Sequence, residues 1–388
     1  MKPGGICMPQ WRNTVRSILV NFDFSDDQLL LRESARRALA AHAGAARLAL
    51  DAPGGLNGGL WELAAQMGWL GAAIPECFGG VGLGRLELCV LAEEFGRILA
   101  PIPFSSTVYG FAETLMACAE ESVLAQYLPQ VAAGKLIGTL AASEGSGAVR
   151  PASITTTLRA GRLYGRKMPV VDGDQAQAAI VLARQDQGDL RLVLVDLREA
   201  GVTRRVLETL DPTRGHAELM FDGAPGIALG QPGSGWEEYL QASDRMAALL
   251  AFEQLGGAQA CLDTAVAFAK SRYAFGRPIG SFQAIKHKLA DMYVAIEVAR
   301  SNAYYGAWAL EHSKADLALA AAAARVAASE AFSLAAKENL QTHGGMGFTW
   351  AADCHLFMRR AKLLAVQIGA PGVWRERLVQ ALEQRNQG

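Results

Sequence analysis

The sequence predicts an α+β protein with an N-terminal all-α domain, a small central β domain folded as a sandwich or barrel, and a C-terminal four-helix bundle. Helical periodicity dominates up to about residue 133, short Val-, Ile-, Leu- and Thr-rich segments follow, and long helical patterns return from Gly235. The predicted boundaries are 1–21 for an N-terminal extension, 22–134 for the helical domain, 135–234 for the β domain and 235–388 for the bundle domain.

Composition narrows the classes of function. The chain has 388 residues, of which 51% are hydrophobic and 19% charged, so it can bury a large core. Its formal net charge of -1 leaves no broad basic field, so we expect no nucleic-acid partner. The six cysteines and six histidines are scattered without metal-ligand spacing, which predicts no metal site and favours free thiols in a reducing cytoplasm. No uncharged apolar run of about 18 residues appears, so no membrane span is expected.

Capping and turn residues mark the N-terminal helices. Ser25-Asp-Asp-Gln28 has the pattern of a helix capping box, and its helix is predicted to run to about residue 49. The other predicted helices of this domain cover 60–69, 85–99, 106–118 and 120–133.

Seven short segments separated by turn residues predict the β domain, because no long helical pattern interrupts them. They cover 136–143, 154–158, 162–168, 178–183, 190–195, 202–207 and 217–221.

Long helical patterns joined by short breaks predict an antiparallel bundle. The longest, Trp236–Ser271, would span roughly 54 Å as one continuous helix. Apolar helices of this length usually associate, so we expect a dimer of dimers. The remaining predicted helices are Gln283–His312, Lys314–His343, 351–367 and 371–385.

The break between the first two bundle helices is unusually polar. It reads Arg272-Tyr-Ala-Phe-Gly-Arg-Pro-Ile-Gly-Ser-Phe-Gln283. An arginine, an aromatic ring and an amide at one corner could hold a phosphate and a flat heterocycle, whereas a tight loop with solvated arginines is the simpler alternative.

Two motifs give the chain a family resemblance. Arg272-x-x-Phe-Gly-x-Pro-Ile-x-x-Phe-Gln283 with the following Lys286-His-Lys-Leu-Ala-Asp-Met292, and Gln341-Thr-His-Gly-Gly-Met-Gly-Phe-Thr349, resemble the acyl-CoA dehydrogenase family. The resemblance spans residues 22–385. It implies FAD between the β domain and the bundle, with the adenosine half crossing to a neighbouring subunit. It also implies an acyl-CoA substrate, electron-transfer flavoprotein as acceptor, and a homotetramer or a heterotetramer with a second dehydrogenase subunit.

The resemblance also assigns roles to residues. Arg272 would pair with the pyrophosphate because its planar fork suits phosphate oxygens. Phe275 would pack near adenine and Gln283 would hydrogen-bond the cofactor. Backbone approach to the ADP portion would occur at Gln341, Gly344 and Gly345, although an ordinary helix C-cap is the alternative for the two glycines.

On the flavin side, Ala141-Ala-Ser-Glu144 resembles the family strand whose hydroxyl faces the isoalloxazine, which assigns Ser143 to that role, with an ordinary strand-end serine as the alternative. Pro169 and Val171 occupy the places that usually hold a tryptophan and a threonine. The flavin face would therefore be packed differently, or the flavin site would be weak.

The usual catalytic base is missing. The family's glutamate position is Ile368, and the alternative position on the first bundle helix is near Met246. Either a partner subunit supplies the base, as in bacterial members that act on steroid side chains, or another carboxylate moves in. Glu253 is the candidate, since it lies about two turns from Met246 on nearly the same face. A core-edge, ion-paired glutamate is its alternative role.

Asp244 and Arg245 match a place where family members touch the CoA thioester, and a solvated ion pair is the alternative. Three functions stay open: an FAD-dependent acyl-CoA dehydrogenase or its heteromeric subunit, a flavin monooxygenase or oxidase on the same scaffold, and a structural subunit that binds FAD or acyl-CoA without turnover. Flavin bleaching by an acyl-CoA, oxygen consumption, and colour that depends on co-expression distinguish them.

Overall fold

A computed structural model describes residues 24–51, 55–186 and 188–387. The predicted N-terminal extension and Cys7 lie outside these residues. The helices are α1 (Asp26–Ala40), α2 (Ala45–Asp51), α3 (Gly58–Gln66), α4 (Arg85–Arg97), α5 (Glu113–Cys118), α6 (Glu121–Ala132), α7 (Gly235–Ser271), α8 (Gln283–His312), α9 (Leu317–Thr342), α10 (Cys354–Val366) and α11 (Pro371–Gln387). The strands are β1 (Gly138–Ala141), β2 (Thr157–Arg159), β3 (Arg162–Val171), β4 (Ala178–Gln185), β5 (Leu190–Asp196), β6 (Val202–Val206), β7 (His216–Pro225), β8 (Ile227–Leu229), β9 (Tyr273–Ala274) and β10 (Arg277–Pro278).

The N-terminal helices begin with the predicted capping box. The Ser25 hydroxyl accepts from the backbone of Gln28 at 3.3 Å, and the Gln28 side chain accepts from the backbone of Ser25 at 3.0 Å. The single helix expected up to residue 49 is interrupted by a turn between α1 and α2. The helix expected at 106–118 begins as a π-helical stretch, Ser105–Ala112, before α5.

Helices α4 and α7 touch backbone to backbone at two glycines. A Cβ atom on Gly96 would lie 1.9 Å from the carbonyl oxygen of Glu253, and one on Gly256 would lie 1.9 Å from that of Glu93. Only glycine permits so close an approach. This crossing fixes the N-terminal helices to the longest helix of the bundle.

The central strands form one mixed sheet in the order β6-β7-β3-β2-β4-β5-β8, with β1 parallel to β4. Strand β4 is buried on both faces, because Ala179 and Val181 belong to one hydrophobic cluster and Ile180 and Leu182 to another. The first cluster continues into the bundle and the second into α6. The sheet is thereby held between the two helical parts of the chain.

Helix α9 is the central helix of the bundle and packs against α7, α8, α10 and α11. Within the described residues it alone is long and apolar enough to cross a membrane by length and composition. Its alanines at 320–322 and its Phe332 are buried against the neighbouring helices, which accounts for the apolar sequence. The order of helices, sheet and helical bundle confirms the predicted fold class.

Candidate functional site

A cavity of about 1,070 Å³ lies where the sheet meets the first half of α7 and the turn between α10 and α11. Ser143, Pro169 and Val171 line it from the β domain. Met246 of α7 and Ile368, just after α10, line it from the bundle. All five of these residues were candidate site residues or family positions in the sequence, and the fold brings them to one space.

The β wall of the cavity is backed by a buried ion pair. Lys167 is fully buried, and its Nζ donates to the Glu144 carboxylate at 2.6 Å and to the Ala142 carbonyl at 3.1 Å. Burial lowers the pKa of Lys167 to about 8. Although burial acts to raise it, hydrogen bonds from Lys167 and Thr155 lower the pKa of Glu144 to about 2. The pair anchors the chain on both sides of Ser143, whose own hydroxyl donates to the Gly145 carbonyl at 3.1 Å.

A second buried network lies beyond Val171. Asp172 has a left-handed backbone, with φ 52°, and pairs with Arg214 at 2.7 Å. It also accepts from the hydroxyl of Ser106, a cavity-lining residue, at 2.6 Å. Although burial acts to raise it, Arg214 and Ser106 hold the pKa of Asp172 below its ordinary value. The network fixes the end of β3 against the π-helical stretch.

Glu253 belongs to this network and not to the cavity wall. Its Oε1 lies 3.7 Å from Nη1 of Arg214 and 3.8 Å from Nη1 of Arg360. Both guanidiniums are almost fully buried, and Glu253 is absent from the residues that line the cavity. This position favours the ion-paired structural role over proton transfer to a ligand.

Asp244 and Arg245 do not line the cavity, although Ser243 and Met246 on either side of them in the sequence do. Asp244 is buried and accepts a 2.6 Å hydrogen bond from Arg377, a cavity-lining residue of α11. Burial raises the pKa of Asp244 to about 6, because desolvation outweighs the attraction of Arg377. The partner of Asp244 is therefore Arg377 on another helix. The alternative, in which Asp244 and Arg245 form a solvated ion pair, does not describe this buried carboxylate.

Other residues that line the cavity were not predicted from the sequence, among them Gln367, Glu376 and Arg377. Gln367 precedes Ile368, while Glu376 and Arg377 lie on α11. Glu376 is the carboxylate among the described lining residues, but it is exposed and already accepts from Gln380 at 2.8 Å. The charges of α11 could have drawn attention to Glu376 and Arg377, but the sequence does not show that these residues line the cavity.

The polar corner after α7 is a small β-hairpin. Strands β9 and β10 pair across Phe275 and Gly276, whose φ angles of 52° and 79° match a two-residue type I′ turn. Phe275 is 94% exposed at the tip. Arg272 and Gln283 are also exposed, on the two sides of the hairpin.

The second motif lies at the same end of the bundle. The ring of His343 stacks on Phe268, near the end of α7, with 4.1 Å between ring centroids. Gln341, Gly344 and Gly345 are exposed beside it, and a Cβ atom on either glycine would have no neighbour within 4 Å. Gly344 has φ 59°, the left-handed backbone that the helix C-cap alternative predicts, so its own conformation already favours glycine. At Gly345 no contact with the described residues requires a glycine, whereas close approach of an external group would.

The predicted cofactor residues thus fall into two separate groups. Ser143 is in the cavity, while the other six lie at the corner formed by the hairpin and the His343 segment. Met246 and Arg272 are 26 residues apart on α7, which corresponds to about 39 Å along a helix. A single chain does not bring the two groups together.

The family model for the acyl-CoA dehydrogenase N-terminal domain matches residues 25–135, and that for the C-terminal domain matches residues 233–383. This chain belongs to the acyl-CoA dehydrogenase family. It is accordingly an oxidoreductase of a family that acts on CH–CH groups, and the family supports the predicted FAD cofactor.

Individual relatives agree with the family models. Acyl-CoA dehydrogenase IpdE2 of Mycobacterium tuberculosis is 34% identical, over 89% of this chain and 94% of its own length. Mitochondrial isovaleryl-CoA dehydrogenase of Oryza sativa subsp. japonica is 31% identical, over 91% and 90% of the two chains. A solved structure of the Tcur3481-Tcur3483 steroid ACAD is 30% identical with a TM-score of 0.85, covering 93% of this chain and 99% of that one.

Proposed function

We propose that this chain is one subunit of a heteromeric, FAD-dependent acyl-CoA dehydrogenase for bulky acyl groups such as steroid side chains, with the catalytic base supplied by the partner subunit. The observation that supports this proposal is the composition of the cavity wall. Ile368 and Met246, at the two family positions for a base, both line it, and neither side chain accepts a proton.

The exposed corner supports a shared cofactor. Arg272 and Gln283 offer hydrogen-bond donors at the surface, and the open glycines at 344 and 345 permit close backbone approach. These groups fit the nucleotide end of FAD, and the wall around Ser143 fits its ring end. Because about 39 Å of helix separates Met246 from Arg272, each FAD would contact two chains.

When bound, FAD accepts the hydride that leaves the acyl group. The chain's own contribution is to hold and enclose the substrate. Met246, Ile368 and Val373 give the cavity an apolar wall, and Arg377, held by Asp244, places a fixed positive charge on the α11 side. The volume of about 1,070 Å³ accommodates a bulky acyl group beside the flavin.

Two relatives guide the substrate class and the assembly. The structural relative at 30% identity is a steroid ACAD named for two components, Tcur3481 and Tcur3483. We propose the same pairing for this chain, in a cytoplasmic heterotetramer that passes electrons to an electron-transfer flavoprotein.

The test compares the chain alone with the chain co-expressed with a second dehydrogenase subunit. We expect stable FAD and anaerobic bleaching by a steroid-side-chain acyl-CoA only in the co-expressed complex. With FAD supplied in excess to the chain alone, Ile368→Glu should restore slow bleaching if the base is the missing group, and Met246→Glu makes the same test at the other family position. Bleaching by the unmodified chain alone that is abolished by Glu376→Gln would refute the proposal and assign the base to Glu376.

A further inference from the structure

One face of α11 brings polar side chains to the cavity. Apart from Gly372 at its start, the residues of α11 that line the cavity share the spacing of a single helix face: Val373, Glu376, Arg377 and Gln380. Glu376 and Gln380 are exposed, whereas the Arg377 side chain is only 20% exposed. Side chains with this spacing point the same way, so Arg377 meets the cavity with its side chain and not only with its backbone.

The Arg377 guanidinium is held on two sides. Its Nη2 donates to the buried Asp244 carboxylate at 2.6 Å, and its Cζ lies 4.5 Å from the centre of the Trp374 ring. The Trp374 indole in turn donates to the Ile368 carbonyl at 3.2 Å. The guanidinium is thereby fixed relative to Ile368, the residue at the family's base position.

Most of the donors of Arg377 stay free. The bond to Asp244 uses one of the five N–H groups of the guanidinium. Its Nε and Nη1 make no hydrogen bond with the described residues, and neither atom is closed off from solvent. Tyr239, which also lines the cavity, lies close by: burial raises the pKa of its hydroxyl, and the charge of Arg377 acts against that rise.

Arg377 lies between the buried and the open parts of the cavity. The lining residues are buried around Ser106 and Met246 and exposed at Glu376 and Gln380. Asp244, which holds Arg377, is two residues from Met246 on α7. The charged nucleotide of an acyl-CoA stays in water, because burying its phosphates unpaired is costly. A substrate whose reacting carbon lies beside Met246 therefore extends its connecting arm past Arg377.

The surroundings of Arg377 suit a neutral acceptor better than an anion. Asp244 already balances its charge, and the next residue, Glu376, adds a carboxylate to the same wall. An anionic group beside Arg377 would be repelled by both carboxylates, whereas a carbonyl oxygen accepts from the free N–H groups without that repulsion. The arm of an acyl-CoA, between its sulfur and its phosphates, carries amide carbonyls of this kind.

We propose that Arg377 is a substrate-binding residue, which donates to an amide carbonyl of the thioester arm and so holds the thioester near Ile368. This rests on the proposed acyl-CoA function and adds that the cavity recognises the arm and not the nucleotide. Thioesters of pantetheine keep the arm and lack the nucleotide, so they are substrates as well.

The experiment uses the FAD-loaded protein, as the complex if co-expression is required. The probes are cyclohexylpropanoyl thioesters of CoA, pantetheine, N-acetylcysteamine and 1-pentanethiol, the last of which matches N-acetylcysteamine in chain length and lacks its amide. The double variant Asp244→Asn/Arg377→Met removes the guanidinium together with its buried counter-charge. Arg375→Met is the matched control, since Arg375 is an exposed arginine of α11 that pairs with Glu330. Values of kcat and KM for flavin reduction and the flavin absorption spectrum are measured for each protein.

We expect the wild type to use the pantetheine thioester within about 10-fold of the CoA thioester in kcat/KM, and to prefer it over the pentyl thioester by roughly 10- to 100-fold, as a hydrogen bond to a charged group discriminates. The N-acetylcysteamine thioester shows which amide is bound. The double variant should bring the preference close to one through KM, with kcat within about 3-fold, because the contact is made in the ground and transition states alike. Arg375→Met should keep the wild-type preference.

Three outcomes overturn the inference. Equal losses for all four thioesters would make the pair of Asp244 and Arg377 structural only. A loss confined to the CoA thioester would assign Arg377 to the phosphates. A fall in kcat at unchanged KM, or an altered flavin spectrum with an unchanged preference, would assign it to the reacting atoms or the cofactor.

Failure of the proposed function is distinguishable from failure of this inference. If no thioester, the CoA thioester included, reduces the flavin of the wild-type complex, the proposed function falls before any variant is compared. If the double variant does not fold, Arg377→Gln supplies the same comparison, since it is uncharged and keeps an N–H group for Asp244.

Discussion

Lys167→Met tests the buried ion pair behind the flavin wall. Its ammonium is fully buried and bonds to Glu144 and the Ala142 carbonyl. Removing it at pH 7 leaves Glu144 with the Thr155 and Thr156 donors, so we expect a loss of roughly 1–3 kcal/mol of unfolding free energy.

The pH dependence is the sharper part of this prediction. Burial lowers the pKa of Lys167 from 10.5 to about 8, so between these values the unfolded chain binds more protons and the stability of the wild type rises with pH. At about 1.36 kcal/mol per pH unit, this contribution reaches roughly 3 kcal/mol by pH 10.5. The Lys167→Met variant lacks this contribution. The difference in unfolding free energy between the wild type and the variant should therefore widen by roughly 2 kcal/mol between pH 8 and 9.5.

Urea unfolding followed by tryptophan fluorescence at pH 7.0, 8.0 and 9.5 measures this gap. Lys135→Met, at an exposed lysine, is the control, and its difference from the wild type should stay constant across this range. A gap that narrows with pH would refute the reasoning, because it would mean that attraction to Glu144 outweighs the desolvation of the ammonium.

Three further changes have defined outcomes. Glu253→Gln should lower the unfolding free energy by roughly 1–3 kcal/mol, because it loosens Arg214 and Arg360. The rate of flavin bleaching should stay within about 3-fold of the wild type. A loss of rate beyond 100-fold in a folded variant would instead make Glu253 the base. Arg272→Gln should weaken FAD retention about 10-fold or more by equilibrium dialysis, whereas Arg277→Gln, whose guanidinium packs on the Phe282 ring at 4.1 Å, should change it little; equal effects would contradict the role of Arg272. Gly96→Ala should cost more than about 3 kcal/mol or prevent folding, because its Cβ would meet the Glu253 carbonyl at 1.9 Å; a thermal midpoint equal to the wild type would disprove the close crossing.

Local sequence signals predicted the long elements well. The ends of α7 and α8 lie within a residue of the predicted ones, since the hairpin between the two helices, with Pro278, stops the helical pattern. The break between α1 and α2 was missed because Ala41-His-Ala-Gly44 contains no proline and only one glycine, between alanine-rich helical segments. Strand β8 was missed because three residues carry no periodic pattern.

The site was predicted only in part, because its chemistry depends on tertiary neighbours. The role of Glu253 is set by Arg214 and Arg360, which are distant in sequence and meet it through folding. Gln367 could not be recognised in advance, because no local pattern predicts which residues of the turn after α10 line the cavity. The family's base position could be assigned to Ile368 from the sequence, because the neighbouring motif fixes the alignment there.

The separation of about 39 Å between the cavity and the hairpin corner on α7 has a consequence for handling the protein. If each FAD is gripped by two chains, flavin retention follows the association equilibrium of the subunits and not only the intrinsic affinity of one pocket. Dilution below the subunit dissociation constant should then release the yellow colour, and adding back protein should recover it without fresh cofactor.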